Sequence, residues 1–160
     1  MEKAEVADPD RVGAQPNALA RTSFRVVMAD TDAARVIYFG APIRWAERLV
    51  TTWLADVGCP TSGGLRDGYG LPAVHCELDY AAALRLDDRV QASLWVDRYS
   101  QRSVTFRSDF TRQGDVTPAV VVRVTQVQAA TDGDRLRAVT LQPRLVAALR
   151  NTTDQQSDQN

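Results

Sequence analysis

The apolar residues of this chain change their spacing as it proceeds, and each spacing predicts a kind of element. Thr22 to Ala29 is a Phe/Val-rich run that reads as a strand. A loop follows, Asp30-Thr31-Asp32-Ala33-Ala34-Arg35, and then Val36-Ile37-Tyr38-Phe39. Between Gly40 and Val57, the residues Ile43, Ala46, Leu49, Val50, Trp53, Leu54 and Val57 recur in steps of three and four. Such steps line one face of a helix, with Pro42 tolerated in its first turn and Gly58 as its stop. Beyond the helix the period becomes two. Ala73 to Tyr80 alternates Val74, Cys76, Leu78 and Tyr80 against His75, Glu77 and Asp79. Val90 to Asp97 alternates Val90, Ala92, Leu94 and Val96 against Gln91, Ser93, Trp95 and Asp97. Val104, Phe106 and Phe110 mark another strand, and Ala119 to Val127 a more fully buried one. Gly114-Asp115 and Asp132-Gly133 are turn signals between strands. A short strand near Leu136 to Leu141 and a brief helix from Pro143 to Arg150 complete the pattern. An antiparallel sheet with one apolar face needs cover, and the long helix is the one candidate. The pattern predicts a single α+β domain, a long helix wrapped by a curved antiparallel sheet of five to six strands.

Length and composition narrow this further. A chain of 160 residues is one domain's worth. Residues 1–20 read as a disordered leader, 21–150 as the domain and 151–160 as a disordered tail, since NTTDQQSDQN has no apolar residue to offset the entropy of ordering. A net charge of −1 gives no electrostatic footprint for nucleic acid or an anionic membrane. No apolar run approaches the roughly 18 residues of a membrane span. The acidic start lacks the apolar core of a signal peptide, so a cytoplasmic location is expected. Cys59 and Cys76 are too few for a disulfide framework, and with a single histidine there is no cluster at metal-ligand spacing. No metal or cofactor is expected. Both cysteines read as small buried hydrophobes.

Candidate chemistry concentrates between Asp30 and Gly58, where Asp30-x-Asp32, the run Val36-Ile37-Tyr38-Phe39, Trp45 and Glu47 follow in order. This segment resembles the hotdog thioesterases of the 4-hydroxybenzoyl-CoA thioesterase type. Those carry an Asp-x-Asp after the first strand, a short loop, an aliphatic–aromatic run and a helix with Trp and Glu. Leu71 to Tyr80 is similar to the family's second strand, nearest to the branch acting on 1,4-dihydroxy-2-naphthoyl-CoA. The resemblance covers residues 22 to 148. It implies a thioesterase that releases a free acid from an acyl-CoA, an aromatic one among the options, or from an acyl-carrier-protein. Asp32 would be the catalytic carboxylate, attacking the carbonyl or deprotonating a water. A backbone N–H on Phe39 or its neighbour Gly40 would hold the oxyanion. The family's sites lie at a dimer interface, so a homodimer, assembling further to a tetramer, is implied. Arg102 aligns best with the family's phosphate-binding basic residue, with Arg98 and Arg107 as neighbours on coenzyme A. Arg35, Tyr38, Trp45, Glu47 and His75 are the candidate substrate contacts.

The residues support this chemistry without the resemblance. A thioester carbonyl is activated enough for a positioned, partly desolvated carboxylate to serve. Unpaired N–H groups at a helix N-terminus are ready donors for developing negative charge, each lowering a barrier by about 3 kcal/mol. Each residue also has a plainer role. Asp30 and Asp32 could brace the loop through its own backbone. Trp45, Trp53 and Trp95 could be core or interface, and Glu47 could simply favour the helix dipole. His75 could be a hydrogen-bonding strand residue, and the arginines solvated strand edges. Two departures stand out: Arg35 occupies the family's usual glycine position, and Ala41-Pro42 replaces an Asn-Tyr pair. Arg35 could narrow the pocket, pair with Asp32 and weaken its basicity, or reach a carboxylated or phenolic acyl group. Two other classes remain open: a hotdog dehydratase or hydratase using His75 with Glu47 or Asp32, and a non-catalytic acyl-CoA-binding module.

Overall fold

The computed structural model describes residues 18–132 and 134–157. The leader up to residue 17, Gly133 of the Asp132-Gly133 turn, and residues 158–160 lie outside the described residues. The elements run β1 (Ala20–Arg25), α1 (Ala41–Asp56), α2 (Thr61–Arg66), β2 (Tyr69–Gly70), β3 (Ala73–Tyr80), β4 (Arg89–Tyr99), β5 (Ser103–Arg112), β6 (Val120–Val127), β7 (Ala129–Asp132), β8 (Arg135–Ala138) and α3 (Pro143–Ser157). Five strands form one sheet in the order β1-β4-β5-β6-β3, each pair antiparallel. β2, β7 and β8 form a second, three-stranded sheet. This is the α+β hotdog arrangement that the spacing predicts.

Period two decides which face of the sheet is apolar. Val90, Ala92 and Leu94 of β4, Val104, Phe106 and Phe110 of β5, and Val120 and Val122 of β6 are all buried. Against them α1 lays Trp45, Ala46, Leu49, Val50, Trp53 and Leu54. Large side chains interlock edge-to-face, Trp53 on Phe106 with centroids 5.7 Å apart and Trp45 on Phe110 at 5.4 Å. Leu141, Leu145 and Leu149 join the same core from the α3 end. The other face is charged. Arg107 stands opposite Arg123, and Arg123 opposite Glu77. Arg123 reaches Asp79 at 2.9 Å, Asp97 at 3.2 Å and Glu77 at 3.6 Å.

α1 ends as its sequence dictates. Gly58 has φ +76°, and the N–H groups of Gly58 and Cys59 close on Ala55 O and Leu54 O. That is a Schellman cap, which a residue with a Cβ adopts only under strain.

Other expectations needed correction. The first strand stops at Arg25, and Met28–Asp30 form a 3-10 turn because the Asp30 carboxylate accepts the Val27 N–H. α2 and β2 were not anticipated: TSGGLR carries no apolar period that would announce a helix. The strand expected near Leu136 is β8, paired with β7. α3 runs on to Ser157, into the stretch expected as a tail, since extending a helix fixes one residue per new bond whereas starting one fixes several. Cys59 is half-buried against the core, but Cys76 is exposed rather than buried.

That exposure reflects β3's place in the sheet. Among the described residues β3 pairs only with β6, so its second edge is open. Val74 is 62% exposed there and Tyr80 48%. Open, apolar edges of this length are templates for another strand. No helix among the described residues is long and apolar enough to cross a membrane.

Candidate active site

The loop between β1 and α1 is closed by a bridge between Thr31 and Ile37. Asp32 N–H donates to Val36 O at 3.0 Å, and Arg35 N–H donates back to Asp32 O at 3.0 Å. One Asp32 carboxylate oxygen accepts the Ala34 N–H at 2.8 Å, an Asx turn; its other oxygen has no partner among the described residues. Asp32 is exposed. Arg35 completes the turn at φ 62°, the left-handed conformation that such loops ordinarily give to glycine. The salt bridge to Asp32 left open by the sequence is not formed.

Asp30 anchors this loop to the helix. It is buried, and its carboxylate accepts the Val27 N–H at 3.2 Å, the Trp45 indole N–H at 3.2 Å and the Arg44 guanidinium at 3.4 Å. Arg44 also donates to Ala29 O at 3.2 Å. Asp30 braces the loop against α1 and fixes the Trp45 indole. Trp45, expected as a substrate contact, is 5% exposed and packed against Phe24 and Phe110; it is a core residue.

The helix mouth follows directly. Tyr38 N–H donates to Asp30 O and Ala41 N–H to Tyr38 O. Between them, the N–H groups of Phe39 and Gly40 have no main-chain acceptor among the described residues. Pro42 has no N–H to offer, and Phe39 and Gly40 are donors at this end of α1 that a ligand could use. Tyr38 packs its ring on that of Phe39, centroids 4.5 Å apart, and covers Gly40, where a Cβ would come within 2.6 Å of Tyr38 Cε1. A side chain at this position would have to displace the partly exposed Tyr38 ring. From the far end of β3, the Tyr80 hydroxyl donates to Phe39 O. This contact was not foreseen, and nothing local announces it, since Tyr80 sits within an alternating strand. Burial pushes the Tyr80 phenol above its ordinary value, with Cys76 adding to the shift, so it stays a donor.

The remaining expected contacts scatter. Glu47 is exposed in the second turn of α1, bonded to the Thr51 hydroxyl at 3.2 Å, beyond the first turn where the helix dipole would favour it. His75 stands opposite Thr125 with Glu77 and Asp79 on the outer face of β3, the face opposite Tyr80. Arg107 is also on the outer face, locked to Asp109 by two bonds of 2.7 Å and 3.0 Å, so its guanidinium is already occupied. Arg98, at a bulge in β4, and Arg102, in the β4–β5 turn, are exposed. Within one chain they sit at the opposite end of the sheet from Asp32: the loop of Asp32 adjoins the start of β4, the two arginines its end. A pocket of about 420 Å³ is lined by Trp95, Arg107 and Asp109 on the outer face and does not include Asp32. Among the described residues, no group of three or more His, Cys, Asp or Glu is arranged to hold a metal ion.

Residues 26–149 match the model of the Thioesterase-like superfamily. A 1,4-dihydroxy-2-naphthoyl-CoA hydrolase of Picosynechococcus is 33% identical over 76 residues, 47% of this chain and 52% of that enzyme. Its Synechocystis counterpart is 29% identical over 77 residues, 48% of this chain and 56% of the enzyme. The chain thus spans about half the length of these relatives. The solved 1,4-dihydroxy-2-naphthoyl-CoA thioesterase from Synechocystis superposes with a TM-score of 0.75 at 20% identity, over 83% of this chain and 96% of that one. A 4-hydroxybenzoyl-CoA thioesterase variant bound to 4-hydroxybenzoyl-CoA gives 0.74 at 20%, over 81% and 97%. At these identities the structural likeness speaks for the fold. The match over residues 26–149, which contains the loop, the helix mouth and every strand of the main sheet except β1, is what assigns the chain: it belongs to the Thioesterase-like superfamily.

Proposed function

We propose that the chain hydrolyses an acyl-coenzyme A or acyl-carrier-protein thioester to the free acid. Asp32 serves as nucleophile or general base, and the free N–H groups of Phe39 and Gly40 receive the oxyanion. The observation that carries this reading is a pairing: a carboxylate with an open oxygen on the loop, and two main-chain donors without acceptors at the helix it leads into. As nucleophile, a carboxylate oxygen bonds to the thioester carbon, the carbonyl oxygen gains charge against the donors, and the C–S bond breaks to release thiolate. Water then cleaves the resulting anhydride. As base, Asp32 takes a proton from the water that attacks the same carbon, and the thiol leaves in one turnover. Both routes put the developing charge where preorganised N–H groups are worth most. Relatives named for naphthoyl- and hydroxybenzoyl-CoA favour an aromatic acyl group.

A second copy completes the site. Asp32 is exposed in the single chain, and β3 offers an open edge. Two β3 strands pairing antiparallel about a two-fold axis set the Tyr80 end of one against the Ala73 end of the other. The partner's β4–β5 turn then approaches the Asp32 end, and Arg98 and Arg102 of the partner subunit come within range of the coenzyme A phosphates. The outer-face position of His75 weighs against the dehydratase reading.

The test is a panel of benzoyl-, naphthoyl-, short-chain and long-chain CoA thioesters, monitored for free thiol. Thiol release from at least one class supports the proposal. Hydration of an enoyl-CoA without thiol release would replace it with the hydratase reading, and saturable binding without turnover with a binding module.

A further inference from the structure

Arg35 is an arginine in a conformation that suits glycine. Its φ of 62° lies in the left-handed region; among the described residues the only other non-glycine there is Asp87, a residue type that tolerates it. Its N–H closes the turn on Asp32 O at 3.0 Å, so it belongs to the same turn as the candidate catalytic carboxylate. The side chain is exposed, and no ion pair engages it among the described residues. Of the loop's two acids, Asp30 is paired with Arg44, and Asp32 forms no ion pair with Arg35. A strained backbone with an unengaged charge at its tip calls for a substrate-side explanation.

Resting on the assignment of Asp32 above, we infer that Arg35 selects acyl groups carrying a negative charge, a carboxylate or ionised phenol, close to the thioester. An anionic acyl group would otherwise face the Asp32 carboxylate with nothing to offset the repulsion. A guanidinium three residues along the same turn supplies the opposite charge and a forked donor for it. The phosphates of coenzyme A are not the ligand of Arg35, because the pantetheine arm holds them farther from the thioester than an arginine side chain extends.

Two CoA thioesters of similar shape separate the terms: 4-carboxybenzoyl-CoA and 4-methylbenzoyl-CoA. Wild type is expected to favour the charged one in kcat/KM. In Arg35→Gln and Arg35→Gly the charged-to-neutral ratio falls about ten- to a hundredfold, the range of a hydrogen bond to a charged group. Arg35→Lys keeps part of it. Arg35→Gly also melts no lower than wild type, because glycine relieves the left-handed backbone. A wild type without preference, or an Arg35→Gln variant that loses equally on both substrates, overturns the inference while leaving the hydrolase reading in place. A wild type that releases thiol from neither substrate nor any of the wider panel overturns the hydrolase reading itself.

Discussion

The peptide unit joining Phe39 to Gly40 has its two ends in different hands. Its carbonyl is held by the Tyr80 hydroxyl from β3, and its N–H is free at the helix mouth. Fixing the carbonyl fixes the plane of the peptide and so the direction of the N–H, and the hydrogen bond polarises the donor beyond it. If the Gly40 N–H receives the oxyanion as proposed, Tyr80 is its positioning residue. Tyr80→Phe is expected to lower kcat about three- to tenfold, with KM moving less. The pH dependence follows from the shift. The folded phenol titrates above its ordinary value of 10.0 because it is partly desolvated. The stabilising contact is thus complete below pH 10 and lost only as pH rises through the raised value. The ratio of wild-type to Tyr80→Phe rates, measured from pH 6 to 9, is expected to stay flat; a ratio that collapses within that range would contradict the positioning role.

At the scale of elements, two local devices set where α1 begins and ends. Asp30 ties the entering loop to Trp45 and Arg44 on the helix's first turns. Asp30→Ala leaves the Val27 and Trp45 N–H groups without their acceptor, and thermal unfolding should report a loss of about 1–3 kcal/mol, chiefly the cost of the buried Trp45 donor left unpaired. Gly58→Ala places a Cβ at φ +76° and within 2.2 Å of the Arg144 guanidinium, which itself donates to Val57 O. A loss of about 1–2 kcal/mol is expected in the same measurement. The elements legible in the sequence were those whose apolar spacing runs long enough to be unambiguous: α1 from Ile43 to Leu54 and β3 from Ala73 to Tyr80. α2 and β2 were illegible because their place comes from contacts with β7 and the end of α1 rather than from any period of their own.

For the whole molecule, the candidate site divides the same way. Asp32, Phe39 and Gly40 could be read from the chain because they lie within one loop and helix start. Tyr80 could not, since its partner is 41 residues away. The strand period put His75 on the polar face of its own strand, but did not tell that this face lies on the side of the sheet away from α1 or that Arg107 shares it. In the proposed dimer, Arg98 and Arg102 would reach the site across a two-fold through β3. That assembly has its own test. Val74→Lys together with Cys76→Lys places like charges along the open edge, at positions exposed in the single chain, so the fold itself should lose no more than about 0.5 kcal/mol per site. Sedimentation is expected to give a dimer or larger for wild type and a monomer for the variant, with thiol release falling in parallel. A monomeric variant with full turnover would contradict a shared site.

The most direct measurement is kcat/KM for thiol release by Asp32→Asn on the best substrate of the panel, with the melting temperature taken alongside. The asparagine carbonyl can still accept the Ala34 N–H, so folding should be unchanged while the nucleophile or base is gone. Release is predicted to fall by about a thousandfold or more. An Asp32→Asn protein that melts like wild type and keeps its activity within about tenfold would show that this carboxylate does not do the chemistry.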